Sequence, residues 1–171
     1  MFEVGELVVY GSAGVCEVTD ISTLDLDDVD EEKLYYFLLP LNTNSSKIFT
    51  PLENRKIIMR QLITKEEAMD LLENIPELEM FDTRNNKLRE TQYKDAYRSC
   101  ECKEWLKVIK TIHTRNQKRV AQGKKITSMD ERFLKKVEDA LYQEFSIVLE
   151  KTREEIEAMI CEGLDVVTLS N

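Results

Sequence analysis

The sequence predicts an α+β fold: a small, strongly bent N-terminal β-sheet followed by a C-terminal helical bundle of about five helices. Three observations predict it. Apolar residues recur with period two up to about residue 63 and with period 3.6 beyond it, the repeats of strands and of helices. Clusters of turn-forming residues punctuate the first sixty positions at short intervals, as in a small sheet or partial barrel. Thr64-Lys65-Glu66-Glu67 then has the pattern of a capping box, in which Thr64 and Glu67 satisfy early backbone N–H groups of a helix. The 171 residues suffice for two small domains, placed at 1–63 and 64–171.

Each element has its own justification. Leu7-Val8-Val9-Tyr10 reads as a strand, closed by the turn cluster Gly11-Ser12-Ala13-Gly14. Val15 to Ile21 alternates apolar and polar side chains. The acidic stretch Asp25 to Glu32 reads as a solvated hairpin loop; it lacks the glycine and closing glutamate of a calcium loop. Leu34 to Leu39 is an aromatic-rich strand bounded by Pro40. A turn over 42–46 leads to the short strand Lys47-Ile48-Phe49-Thr50, and Ile57-Ile58-Met59 is a candidate last strand. Helices are expected from Thr64 to about Glu73, over 86–98 and over 101–121, the last with Trp105, Val108, Ile109 and Ile112 on one stripe and Gly123 as its stop. Thr127 with Asp130 opens a fourth helix whose buried stripe is Phe133, Leu134, Val137, Leu141, Phe145 and Val148. A short fifth, about 152–161, is expected to end near Gly163. Trp105 lies on the apolar stripe, which predicts a core residue.

Composition excludes several classes of function. One histidine and five glycines leave little for a histidine-rich metal site, a catalytic triad or a glycine-rich phosphate cradle. Cys100-x-Cys102 is too tight for the usual zinc spacing, so Cys16, Cys100, Cys102 and Cys161 are read as buried or half-buried thiols. No metal, no cofactor and no enzyme activity are expected, since no nucleophile or paired-carboxylate constellation stands out. The longest apolar run, Leu34 to Leu41, has eight residues, against the roughly 18 of a membrane span. The acidic start Met1-Phe2-Glu3 lacks the basic region of a secretory signal, and a cytoplasmic location is expected. The net charge of −9 hides a segregation: residues 84–136 carry 16 bases and 6 acids, while the three flanking stretches are each acidic. A basic face on an acidic molecule is one reading of that pattern, and pairing with neighbouring acidic helices is the other.

Phe2-x-Val4-Gly5-Glu6-x-Val8-Val9-Tyr10-x-x-x-Gly14-Val15-x-x-Val18-x-x-Ile21 resembles the opening of the CarD/CdnL family of bacterial transcription regulators, an opening shared with transcription-repair coupling factor. Pro51-Leu52-Glu53-Asn54 is similar to the family's strand-ending motif. Ser99 to Ile112 aligns with its third helix, and Ile126-Thr127-x-x-Asp130-x-Arg132-x-Leu134 with a later helix start. The resemblance implies a Tudor-like β module that docks on the RNA polymerase β-subunit by extending its sheet, and a helical module that contacts promoter DNA at the upstream edge of the bubble. It places polymerase binding on Lys47, Ile48, Phe49 and Thr50, because an unpaired strand edge offers backbone N–H and C=O groups.

One family feature is missing. The family's second helix carries Trp-x-Arg-Arg-Tyr, whose tryptophan wedges beside the bubble; anchored on Tyr93, this chain has Arg89-Glu90-Thr91-Gln92-Tyr93. DNA contact is therefore expected to be weak and not sequence-specific, resting on phosphate neutralisation by Lys87, Arg89, Lys94, Lys124, Lys125 and Arg132. The leading expectation is a transcription regulator that modulates open-complex stability. The alternative is a protein-only adaptor on RNA polymerase.

Overall fold

A computed structural model describes residues 1–25, 32–42 and 46–169. The expected loop over 25–32 and the turn over 42–46 lie largely outside these residues. The chain divides into two compact units, Met1–Leu62 and Ile63–Asn171.

The first unit is a five-stranded antiparallel sheet of β1 (Leu7–Tyr10), β2 (Val15–Thr23), β3 (Leu34–Pro40), β4 (Ile48–Pro51) and β5 (Met59–Gln61), in the order β4-β3-β2-β1-β5. Alternation along the strands puts Val8, Tyr10, Cys16, Val18, Tyr36 and Leu38 on one face, where Phe2, Ile48 and Met59 pack against them. The β1–β2 turn needs glycine. Gly11 has φ +47° and a Cβ there would stand 2.6 Å from Ile57 Cγ2, while Gly14 has φ +74°. The β2–β3 register shifts between Val18 and Asp20, leaving Thr19 as a bulge. Its hydroxyl donates to the Phe37 carbonyl at 3.1 Å. Such a bulge bends the strand and supplies the expected curvature.

The last strand differs from expectation. Ile57 and Ile58 precede β5, because Asn54 ties that segment into a turn: its amide donates to the Ile57 carbonyl (2.8 Å) and its Oδ1 accepts from Lys56 N–H (2.9 Å). Pairing with β1 starts only at Met59.

The second unit holds α1 (Lys65–Glu73), α2 (Asn86–Arg98), α3 (Cys102–Ala121), α4 (Ser128–Leu149) and α5 (Arg153–Leu169). The capping box at Thr64 is complete: Glu67 N–H donates to Thr64 Oγ1 (3.1 Å) and Thr64 N–H to Glu67 Oε2 (2.8 Å). Asn85 caps α2 and Thr127 caps α4 through their side chains. The expected stripes of α3 and α4 form the core, with Leu134 and Val148 half-buried at its margin. Ile156, Ile160 and Leu164 of α5 join them. Within this core the buried Glu144 carboxylate accepts from Ile63 N–H (2.9 Å) and from the Cys102 thiol (3.1 Å).

The fifth helix is longer than the sequence suggested. It runs through Gly163 to Leu169, because this glycine serves close approach: an added Cβ would stand 2.9 Å from Ile75 Cδ1, in the short 3-10 turn Ile75–Glu77.

Three thiols, Cys16, Cys100 and Cys102, are buried, whereas Cys161 is exposed beside the inward stripe of α5. Burial raises the Cys16 thiol to about 11. Partial burial, then the carboxylates of Glu157, Asp165 and Glu138, raise Cys161 as well. Since the thiolate is the reactive form, a thiol reagent at pH 8 is expected to label Cys161 alone in the native protein, more slowly than free cysteine, and all four thiols once urea is added. Mass spectrometry of the labelled protein checks this; native labelling of Cys16 at a comparable rate would contradict it.

Candidate functional site

Two surfaces offer chemistry, one in each unit. In the first unit β4 is an outer strand of the sheet. Its partner β3 pairs Tyr36 with Thr50 and Phe37 with Phe49, and Leu52 N–H donates to the Leu34 carbonyl at 3.1 Å. Backbone groups alternate direction along an antiparallel strand. The even-numbered residues of β4 therefore address β3, and the N–H and C=O of Phe49 point outward. Pro51 closes the strand without a donor, which limits the open edge to a short stretch.

The side chains divide the same four sequence-predicted positions. Thr50 is 1% exposed and Ile48 is packed against the core, so both anchor the strand. Phe49 is 45% exposed and meets Phe37 edge-on, with ring centroids 4.9 Å apart. Lys47 is exposed just before β4. The edge thus presents one aromatic ring, one ammonium and an outward peptide unit.

In the second unit the six basic positions separate into three groups. Arg89 is a correction to the sequence reading: it is 2% exposed and does not reach a surface where phosphates bind. It shares the inward stripe of α2 with Tyr93 and Ala96, four and seven residues on. Its Nε lies 3.3 Å from Asp130 Oδ1, close enough to pair by charge although not aligned for a hydrogen bond. Arg89 Nη1 donates to Asn86 Oδ1 at 2.8 Å. Asp130 also accepts from Arg115 Nε at 3.0 Å, so two arginines share one buried carboxylate. Burial first, and then the Asp130 charge, raise the neighbouring Tyr93 phenol.

Lys94 and Arg132 form the second group. Both reach Glu90 Oε1, at 3.2 and 3.4 Å. Lys87, Lys124 and Lys125 form the third: they are exposed, and among the described residues their ammonium groups have no carboxylate partner.

The sequence reading does not single out a further set of basic residues that line one cavity. Arg115, Lys118 and Arg119, on the C-terminal half of α3, line a cavity of about 360 Å³ together with Lys124. Met80, Phe81 and Thr83 form its opposite wall. The spacing Thr111, Arg115, Lys118, Gln122 was the available signal, since it places these side chains on one helical face.

No helix among the described residues is long and apolar enough to cross a membrane. No curated protein matches the chain. A family model does: that of the CarD-like/TRCF RID domain, over residues 2–63, which takes in all five strands. Over those residues the chain is similar to the CarD-like/TRCF RID domain.

Proposed function

We propose that the chain is a non-enzymatic, cytoplasmic transcription regulator that needs no cofactor. Its sheet docks on the RNA polymerase β-subunit along β4, and its helical unit contacts promoter DNA through exposed lysines to modulate open-complex stability. The observation that carries the docking reading is the open edge of β4 within a CarD-like/TRCF RID domain. A partner strand would pair with the outward peptide unit of Phe49, and the half-exposed ring would set specificity. Phe49→Asp puts a carboxylate where an apolar contact is expected, and because the ring faces away from the core, the sheet should stay folded. The full-length variant is expected to lose at least tenfold in affinity for purified β-subunit in an interferometry titration, with an unchanged circular-dichroism melt; tenfold is about 1.4 kcal/mol. Undiminished binding would send the docking site elsewhere.

The adaptor reading has its own support: Arg89 is buried, and Glu90 occupies both Lys94 and Arg132. Only Lys87, Lys124 and Lys125 of the six then remain for phosphates. Each neutralised phosphate contributes about −0.9 to the slope of log K against log salt on duplex DNA, so three contacts give about −2.7. Fluorescence anisotropy across a salt series is expected to return a slope of that size. Absence of binding at low salt would favour the protein-only adaptor.

A further inference from the structure

We propose that the basic cavity beside α3 is a binding site for a nucleoside polyphosphate. The cations are unusually convergent for an acidic chain. Lys118 and Arg119 lie on α3, and Lys124 approaches from the loop that follows it. Arg115 adds to them, because Asp130 neutralises only one of the two arginines it holds, so the buried trio keeps a net positive charge. Among the described residues, no acidic side chain lines the cavity. Asp82, the acid nearest in sequence to its outer wall, is engaged by Arg84 at 2.6 Å. Several cations and no anion around one concavity select a ligand with several negative charges, and guanidinium groups match phosphate oxygens in geometry.

The site is also built rather than incidental. Gly123, at φ +72°, turns the chain after α3, and Lys124 N–H donates to the Arg119 carbonyl at 2.8 Å. In return Arg119 Nε donates to the Lys125 carbonyl at 2.9 Å, which holds the guanidinium in place while its terminal nitrogens stay available. The first of these bonds occupies the Arg119 carbonyl in the last turn of α3, where partial negative charge would otherwise oppose an anion. The opposite wall is fixed to the same helix. Lys110 Nζ donates to the carbonyls of Pro76 (2.6 Å) and Leu78 (2.7 Å), and Phe81 N–H donates to Thr111 Oγ1 (3.0 Å).

That wall decides between sources of phosphate. Met80 and Phe81 contribute apolar surface, with the Thr83 and Thr114 side chains beside them. A convex duplex backbone leaves such a recess unfilled, whereas a small molecule with a polyphosphate and a planar aromatic ring, whose face stacks on the wall, uses both the cations and the wall. A cavity of about 360 Å³ falls within the roughly 300–1,000 Å³ of small-molecule sites.

The test is isothermal titration of the full-length protein at constant ionic strength with adenosine triphosphate, guanosine triphosphate, adenosine, guanosine and tripolyphosphate. One-to-one binding is expected for at least one triphosphate, tighter than for tripolyphosphate, with none for the nucleosides. Lys118→Glu, at an exposed position, should weaken it roughly tenfold or more, as a charge reversal beside a polyanion does, and Phe81→Ala should remove the advantage over tripolyphosphate. Neither triphosphate binding, or binding indifferent to Lys118→Glu, would overturn the proposal, and tripolyphosphate binding as tightly would overturn its nucleoside part. Lys118 is not among the lysines assigned above to promoter DNA. A Lys118→Glu protein that loses duplex binding in anisotropy, with no triphosphate binding in the wild type, would assign the cavity to nucleic acid instead.

Discussion

Asp130→Ala is expected to cost about 3–5 kcal/mol of unfolding free energy, because removing one member of a buried charge group leaves the others uncompensated. Here the uncompensated charges are the guanidinium groups of Arg89, 2% exposed, and of Arg115, which Asp130 holds from opposite oxygens. Asp130→Asn keeps the shape and removes only the charge, so it should recover little of the loss. Urea titrations read this as a lower midpoint at similar slope. A loss below about 1 kcal/mol, the size of a surface pair, would mean that the arginines find other partners. The same geometry changes what Arg89→Trp does. Read as a surface position, a tryptophan there would supply the missing bubble wedge. Within the buried cluster it strips Asp130 of a partner and forces a bulkier side chain onto the buried face it shares with Tyr93. The expected outcome is lost stability with no preferential gain on forked DNA.

Periodicity and capping chemistry made most of the fold legible before any coordinates. The Thr64 capping box, the Thr127 cap and the apolar stripes of α3 and α4 are local signals, and the starts of α1 and α4 follow from the two caps. The misplacements share a cause: local signals whose meaning is set by a distant contact. Gly163 looks like a helix stop, but it answers to Ile75, 88 positions earlier. Ile57 and Ile58 look like strand residues, yet Asn54 holds Ile57 in a turn and pairing with β1 starts only at Met59. Charge was the hardest to place. The basic segment marked where cations are concentrated but not which of them face one another. Alignment to a family motif put Arg89 outside, while its own spacing from Tyr93 and Ala96 put it inside, and the helical spacing was the better guide. The convergence of Lys118, Arg119 and Lys124 depends on the turn at Gly123, which brings a loop lysine back toward α3.

Trp105→Ala is expected to be about as damaging, roughly 3–5 kcal/mol, as truncations of large aromatics in cores are. The ring is 2% exposed on α3, and its indole N–H donates to the Tyr97 carbonyl at 3.3 Å. Truncation therefore opens a cavity and takes a donor from that carbonyl at the end of α2. Trp105→Phe separates the two contributions. It keeps most of the apolar volume and forfeits the hydrogen bond, a loss of about 1 kcal/mol plus a smaller packing defect. Because this is the only tryptophan in the chain, the wild-type protein should emit at blue-shifted wavelengths and shift red on unfolding; the variants are followed by circular dichroism. Bulk-like emission from the native protein would contradict the core assignment. So would a Trp105→Ala variant of wild-type stability that has lost DNA binding, the signature of an exposed wedge. The expectation is the reverse: at temperatures where Trp105→Ala remains folded, its affinity for DNA should match that of the wild type.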